Sequence, residues 1–231
     1  MPKAIKKRIG KKTIDSETEV KQKISSLTET FRQRQRTAFI AAITVLVVLT
    51  SVVGILWYSY SSQKKAKILE NEAYKSFYSS KMSATNAEEQ YKKALDLFKK
   101  AYDTKKSPFS LFYIANSYYA LGNYDDALKT LQNFIKKYSN DEKFLPLAYQ
   151  KIALIYLKKG ETEQAKRTLD NLYNLKGDVL KDFALMEYAK LLDKEGQADE
   201  AQKKYQEVVR KYPSSPFIEE AKAKIPEKPT N

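Results

Sequence analysis

Apolar residues recur along this chain in two different ways. Between residues 37 and 63, TAFIAAITVLVVLTSVVGILWYSYSSQ, they run together and no side chain is charged. A helix rises about 1.5 Å per residue and the hydrocarbon core of a bilayer is about 30 Å thick, so about 20 residues cross it. Residues 38–57 have that length, and every face of the stretch is apolar, unlike a core helix with one wet side. Beyond residue 100 the pattern changes to steps of three and four, the signature of one buried helix face. Leu111, Ile114 and Tyr118 form such a stripe, and Leu131 and Phe134 continue it. Tyr149, Ile152 and Tyr156 lead to Leu169 and Leu172; Leu185, Tyr188 and Leu192 lead to Tyr205 and Val208. Pairs of helices are predicted throughout, and so is an all-α fold.

The three stripes are copies of one unit. LFYIANSYYALGNYDDALKTLQNF (111–134) is echoed by YQKIALIYLKKGETEQAKRTLDNL (149–172) and by LMEYAKLLDKEGQADEAQKKYQEV (185–208). Gly122, Gly160 and Gly196 hold the same place and Ala127, Ala165 and Ala201 follow five residues later, at steps of 38 and 36 residues. Ala115, Ala153 and Ala189 on the first helix face these alanines on the second, and small residues let two antiparallel helices approach. A glycine closes the first helix because a left-handed backbone is cheap there. No unit can bury its stripe alone, so the units must stack.

These residues resemble the tetratricopeptide repeat, a helix–turn–helix unit of about 34 residues with a Leu-Gly-like pair, a Tyr, an Ala, a Phe and a terminal Pro. Pro213 holds the terminal position in the last unit; Ser139 and Gly177 replace it in the others. The resemblance covers residues 108–215. Upstream, YKKALDLFKKAYDTKKSP looks like the second helix of a degenerate unit, with Ala94, Phe98 and Ala101 in phase and a linking helix over 64–82 as its partner. Downstream, SSPFIEEAKAKI reads as a capping helix, with Ser215 as N-cap, Pro216 at the first helical position, and Phe217 and Ala221 facing inward.

The ends of the apolar stretch bear on topology. Trp57, Tyr58 and Tyr60 cluster at one end, where amphipathic rings suit the membrane–water interface. Arg32, Arg34 and Arg36 flank the other, and Lys64, Lys65 and Lys67 follow the aromatic end. A cleaved signal peptide has a shorter apolar region, about 7–15 residues, followed by small residues, so a retained single-pass anchor is expected. The nearest flanking charges are balanced, but the whole N-terminal segment 1–36 carries 11 Lys and Arg against 4 acids. That bias favours a cytoplasmic N-terminus and an extracytoplasmic repeat domain. Within the tail, Ser16 and Glu19 have capping-box spacing, and Val20, Ile24, Leu27 and Phe31 form a stripe. Two readings stay open there: a helix continuing into the span, or a basic amphipathic segment on anionic lipid or a cytosolic partner.

Composition removes most chemistry. With 231 residues and a formal charge of +14, the chain has no histidine and no cysteine. Thiol catalysis, histidine acid–base work and the usual zinc, haem and iron–sulfur ligands are therefore absent. Residues 64–231 hold 31 Lys and Arg interleaved with 24 acids, as on a solvated helix surface rather than a nucleic-acid stripe. Asp125, Asp126, Glu161 and Glu163 sit where second helices begin and complement the helix dipole. ALGNY has one glycine and no preceding strand, so it is not a phosphate loop. No catalytic, cofactor or metal residues are assigned, and an enzyme is not expected.

What remains is surface. In stacked repeats of this kind the first helices line a concave groove. By repeat phase its lining is Phe109, Phe112, Tyr113, Asn116 and Tyr119 in the first unit, and Leu147, Gln150, Lys151 and Leu154 in the second. The third gives Phe183, Met186, Glu187 and Lys190. Asn116 fits one position of the two-carboxylate clamp known in tetratricopeptide proteins, but Phe112, Phe183 and Glu187 stand where it needs basic groups, so that clamp is not expected. An apolar segment of a client or partner suits this lining. The alternative, that some of these rings pack on the linking helix or the cap, stays open.

The layout as a whole resembles the YfgM-like family, ancillary subunits of the bacterial Sec translocon, with most of the likeness in AKRTLDNLYNLKGDVLKDFALMEYAKLLDKEGQADEAQKKYQEVV. That resemblance implies an inner-membrane protein with a periplasmic domain that helps secreted clients pass from translocon to chaperones. A scaffold for another envelope assembly, such as cell-division or wall-synthesis machinery, is the alternative. The expected plan is a basic cytoplasmic tail (1–36), a transmembrane helix (37–60), a linking helix and degenerate repeat (61–107), three repeats (108–215), and a capping helix with a disordered end (216–231). The sequence leaves the oligomeric state open.

Overall fold

A computed structural model describes residues 16–82 and 86–226. Among them every regular element is a helix: α1 (Ser16–Met82), α2 (Ala87–Thr104), α3 (Pro108–Ala120), α4 (Tyr124–Lys137), α5 (Leu145–Lys159), α6 (Thr162–Tyr173), α7 (Lys181–Lys194), α8 (Ala198–Lys211) and α9 (Ile218–Ala223). The chain divides into two compact units, residues 1–60 and 61–231.

In the first unit the described residues belong to α1. Between Pro2 and Pro108 the sequence has no proline, so nothing there removes a backbone donor from a helix. The apolar stretch makes α1 long and apolar enough to cross a bilayer, and none of its most apolar window is buried by protein. The stripe Val20, Ile24, Leu27 and Phe31 is exposed as well. The basic residues of the tail before residue 16 lie outside the described residues.

In the second unit each helix from α2 to α9 packs on the next. The stripes read from the sequence form the core: Leu131, Phe134, Leu169, Leu172 and Val208 have no exposed surface. Fully burying one such side chain is worth roughly 1.5–3 kcal/mol. All six repeat alanines, Ala115, Ala127, Ala153, Ala165, Ala189 and Ala201, are buried to 0 % exposure. Ala94, Phe98 and Ala101 are buried to the same degree, so α2 sits in repeat register.

The turns repeat down to the hydrogen bond. Asn123 N–H donates to the Tyr118 carbonyl, Glu161 N–H to Tyr156 and Gln197 N–H to Leu192, each at 2.9 Å. This is the six-to-one bond of a Schellman ending, which needs a left-handed residue just inside it. Gly122 (φ 78°) supplies it in the first unit and Gly160 (φ 73°) in the second.

The C-terminal cap starts later than the sequence suggests. α9 begins at Ile218, and Ser215 is not its N-cap. The Ser215 hydroxyl instead donates to Asp182 Oδ2 at 2.7 Å and accepts the Phe217 N–H at 3.1 Å. Its bond to the start of α7 competes with a cap and holds residues 215–217 as a turn. Ala221 faces inward, fully buried. Residues 227–231, expected to be a frayed end, lie outside the described residues.

Candidate protein-binding cleft

The site begins with how α3 is started. Pro108 opens the helix, and the Ser107 hydroxyl accepts the Ser110 N–H at 3.0 Å. Both serine hydroxyls donate to Glu70 Oε1 on α1, Ser107 at 2.6 Å and Ser110 at 2.7 Å. Glu70 is only 6 % exposed. A carboxylate beside a helix N-terminus is favoured by the unpaired N–H groups and the dipole, and here it pins α1 to α3. Further along α1, Phe77 packs edge-on to Tyr91 of α2 (5.3 Å) and Tyr113 of α3 (5.6 Å).

This docking leaves a cleft of about 490 Å³ between the linking helix and the first two repeats. α3 contributes Phe112, Tyr113, Asn116, Tyr119 and Ala120; α5 contributes Leu147, Gln150 and Lys151. Phe77 and Tyr78 of α1 and Tyr91 of α2 close the other wall. Lys151 Nζ lies 4.3 Å from the centre of the Tyr119 ring, a cation–π distance. Tyr113 stacks on Phe98 at 5.1 Å. Burial first, and then its hydrogen bond with Tyr78, push the Tyr113 hydroxyl well above the ordinary tyrosine range, so it stays protonated.

Asn116 is 9 % exposed, and its amide bonds to no described residue. No fully buried polar side-chain atom among the described residues lacks a partner, so that amide reaches the solvent of the cleft. Among the described residues of the second unit, few large apolar side chains are exposed: Ile68, Tyr74, Tyr78 and Val179. Tyr78 lines the cleft, and Tyr74 adjoins it through Tyr78 (4.4 Å) and Tyr113 (5.5 Å).

The residues placed on a groove by sequence phase thus part company. Phe112, Tyr113, Asn116, Tyr119, Leu147, Gln150 and Lys151 come together in the cleft. Phe109 does not line it: its ring packs among Tyr113 (4.6 Å), Phe98 (6.0 Å), Tyr74 and Phe144 (6.1 Å each), because α1 docks over it. Leu154 is half-buried against the core between the second and third units.

The third-unit residues are corrected more sharply. Met186 has no exposed surface and Phe183 is buried, its ring 6.3 Å from Phe217. Glu187 and Lys190 pair at 3.1 Å, and Lys190 reaches Glu220 of α9 at 3.0 Å. Met186 and Phe183 are therefore closed off, while Glu187 and Lys190 stay half-exposed but tied up in these ion pairs.

Phe77, Tyr78 and Tyr91 were missed. The signal was present as the triad Tyr74, Phe77, Tyr78, spaced three and one within the expected linking helix. Among the described residues no group of three or more Asp or Glu side chains could hold a metal ion.

A stack of such helix pairs is a helical-repeat scaffold for protein–protein interaction. The model of the tetratricopeptide repeat-like domain matches residues 35–225, and the chain belongs to that family. Members are generally non-enzymatic binding scaffolds, and this chain is a helical scaffold for protein–protein interaction. The fold is similar to the MamA RS-1 double-mutant structure, with 18 % identity over 65 % of this chain and 77 % of that one, at a TM-score of 0.51. A Podosopora anserina putative kinesin light chain with tetratricopeptide-like repeats is 14 % identical over 72 % and 82 % of the two chains, at a TM-score of 0.48. YrrB, described as having an unusual peptide-binding site, is 17 % identical over 65 % and 75 %, at a TM-score of 0.44. No curated protein matches the sequence.

Proposed function

We propose that this chain is a membrane-anchored, non-catalytic scaffold that holds a segment of a partner protein in the cleft between α1 and the first two repeats. The observation that carries this reading is the cleft itself, where Tyr78, Tyr91, Tyr113 and Tyr119 surround the Asn116 amide, which has no partner among the described residues. Residues 37–60 form the anchor, 61–107 the linking helix and degenerate repeat, 108–215 the repeats, and 216–231 the cap and end. The basic tail, 1–36, faces the bacterial cytoplasm, and the repeats face outward from the inner membrane. The partners are secreted clients, the translocon or periplasmic chaperones, as for an ancillary translocon subunit. A client segment that leaves a translocon is unfolded and exposes apolar side chains, which suits an aromatic cleft.

A photoreactive amino acid at Gln150 in the full-length membrane protein tests this. Crosslinks to secreted proteins in transit or to translocon components are expected, and they should fall when secretion is blocked. Crosslinks confined to division or wall-synthesis proteins, insensitive to that block, would transfer the scaffold to another envelope assembly. Protease protection of the repeats inside sealed right-side-out cells would overturn the outward orientation.

A further inference from the structure

We infer that the edge of the repeat array nearest Ser61 binds anionic lipid headgroups, so that the array stands with its inter-repeat loops on the bilayer that anchors it. This rests on the reading of residues 37–60 as an anchor. Acids and bases interleave along the sequence but separate in the fold, because neighbouring helices run in opposite directions and bring alternate connections to opposite edges. Residues 61–67, 100–106 and 136–143 hold nine lysines and three acids; residues 86–89 and 120–127, at the other edge, hold four acids and no lysine or arginine.

Contacts gather the lysines. The Glu70 bonds to Ser107 and Ser110 fix the first turns of α1 in this unit beside the α2–α3 loop. Lys67 Nζ lies 5.2 Å from the centre of the Phe109 ring. Phe109 packs on Phe144, and Lys143 Nζ lies 5.0 Å from the Phe144 centre. Tyr102 is shared: Lys106 Nζ lies 4.2 Å from its ring centre, and Lys137 Nζ donates to its hydroxyl at 3.2 Å. All these lysines are exposed. Lys106 keeps Asp103 at 2.8 Å, but Lys64, Lys65, Lys136, Lys137 and Lys143 form no ion pair with a described Asp or Glu. The helix dipole accounts for Lys136 and Lys137, in the last turn of α4. It does not account for Lys143, which stands just before α5, where a cation is disfavoured. Like charges gathered in this way repel one another unless an anion meets them.

The tether decides which anion that is. Ser61 opens this unit and follows directly on the apolar stretch. From Ser61 to Glu70 is about 14 Å of helix. The anions held at this edge by the chain's own connection are lipid phosphates, and basic residues near an anionic surface are drawn to it over a screening length of about 8 Å.

The chain has no cysteine, so a single introduced one can carry a fluorophore. Asn140→Cys labels the basic edge and Asn123→Cys the opposite one, in the full chain in nanodiscs whose phosphatidylcholine bears a nitroxide on its headgroup. Adding phosphatidylglycerol should raise quenching at residue 140 about threefold and leave residue 123 unchanged. Salt at about 1 M, which cuts the screening length to about 3 Å, should abolish the rise. Lys106→Gln, Lys136→Gln, Lys137→Gln and Lys143→Gln together should abolish it too, and the four corresponding Lys→Arg replacements should keep it. Lys129→Gln with Lys203→Gln, at exposed positions of α4 and α8, should also keep it. Equal quenching in both lipids, or a rise that survives the four Lys→Gln replacements, overturns the inference. Equal quenching together with retention on polyglutamate would give the edge to an acidic protein instead. A chain that does not enter the discs overturns the anchor reading beneath it.

Discussion

The two ends of the repeat array start from the same register and finish differently. At the N-terminal end, Phe112, Tyr113 and Asn116 of α3 face a cleft walled by Phe77 and Tyr78. At the C-terminal end, the equivalent Met186, Glu187 and Lys190 of α7 meet α9, and Met186 is wholly buried. Repeat phase decides which side chains point to the inner face. Whether that face is wet depends on the neighbour. α1 crosses the end of the stack through a few large contacts, Glu70 to the serines and Phe77 to two tyrosines. α9 lies on its predecessor in the manner of a next unit.

The largest expected effect tests whether the open end is as firmly built as the closed one. Phe98 of α2 is fully buried and stacks on Tyr113. Phe98→Ala should lower stability by about 3–5 kcal/mol, read by chemical denaturation. A loss under about 1 kcal/mol would show that the degenerate unit is not part of the cooperative core.

Next comes the closure of the far end. Phe217 packs on Phe183, and Phe217→Ala should cost about 2–3 kcal/mol, less than a fully buried ring because Phe217 is only half-buried. It should also make the C-terminal end resemble the N-terminal one. Solvent exchange at the amides of α9 should rise well above that of α6. Unchanged exchange would mean that α9 is held by other contacts.

The junction that creates the cleft follows. Glu70→Ala removes a buried acceptor shared by Ser107 and Ser110, and should cost roughly 1.5–3 kcal/mol, the range for hydrogen bonds to a charged group. Partner crosslinking at Gln150 should fall with it, because one wall of the cleft loosens. Ser107→Ala, which leaves Ser110 on Glu70 but removes the cap, should cost about 1 kcal/mol.

The sequence made this comparison only half legible. Stripe, glycine and alanine spacing announced the helices, because each unit must bury the same face. The phase of Ala94 and Phe98 revealed α2 for the same reason. Glu70 could not be read, since its partners lie 37 and 40 residues away and its value comes from a burial that only the docked fold creates. Met186 and Phe183 were placed on the groove because phase carries no information about a following helix. Ser215 misled for a local reason: a serine before proline looks like a cap, but Asp182 draws its hydroxyl away.

The smallest expected effect sharpens what holds the closed end. Lys190 joins Glu187 and Glu220, and Lys190 is more than a third exposed. Ion pairs of that exposure contribute about 0–1 kcal/mol, because water screens them and long side chains lose freedom in forming them. Glu220→Gln should therefore shift the denaturation midpoint barely, and Lys190 should keep Glu187 as a partner. Combined with Phe217→Ala, its effect should add without coupling larger than about 0.5 kcal/mol. A loss of several kcal/mol on Glu220→Gln alone would reverse the account: α9 would then be held by charge, and rising salt should open the far end into a second cleft. An apolar closure predicts the opposite, a C-terminal end indifferent to salt.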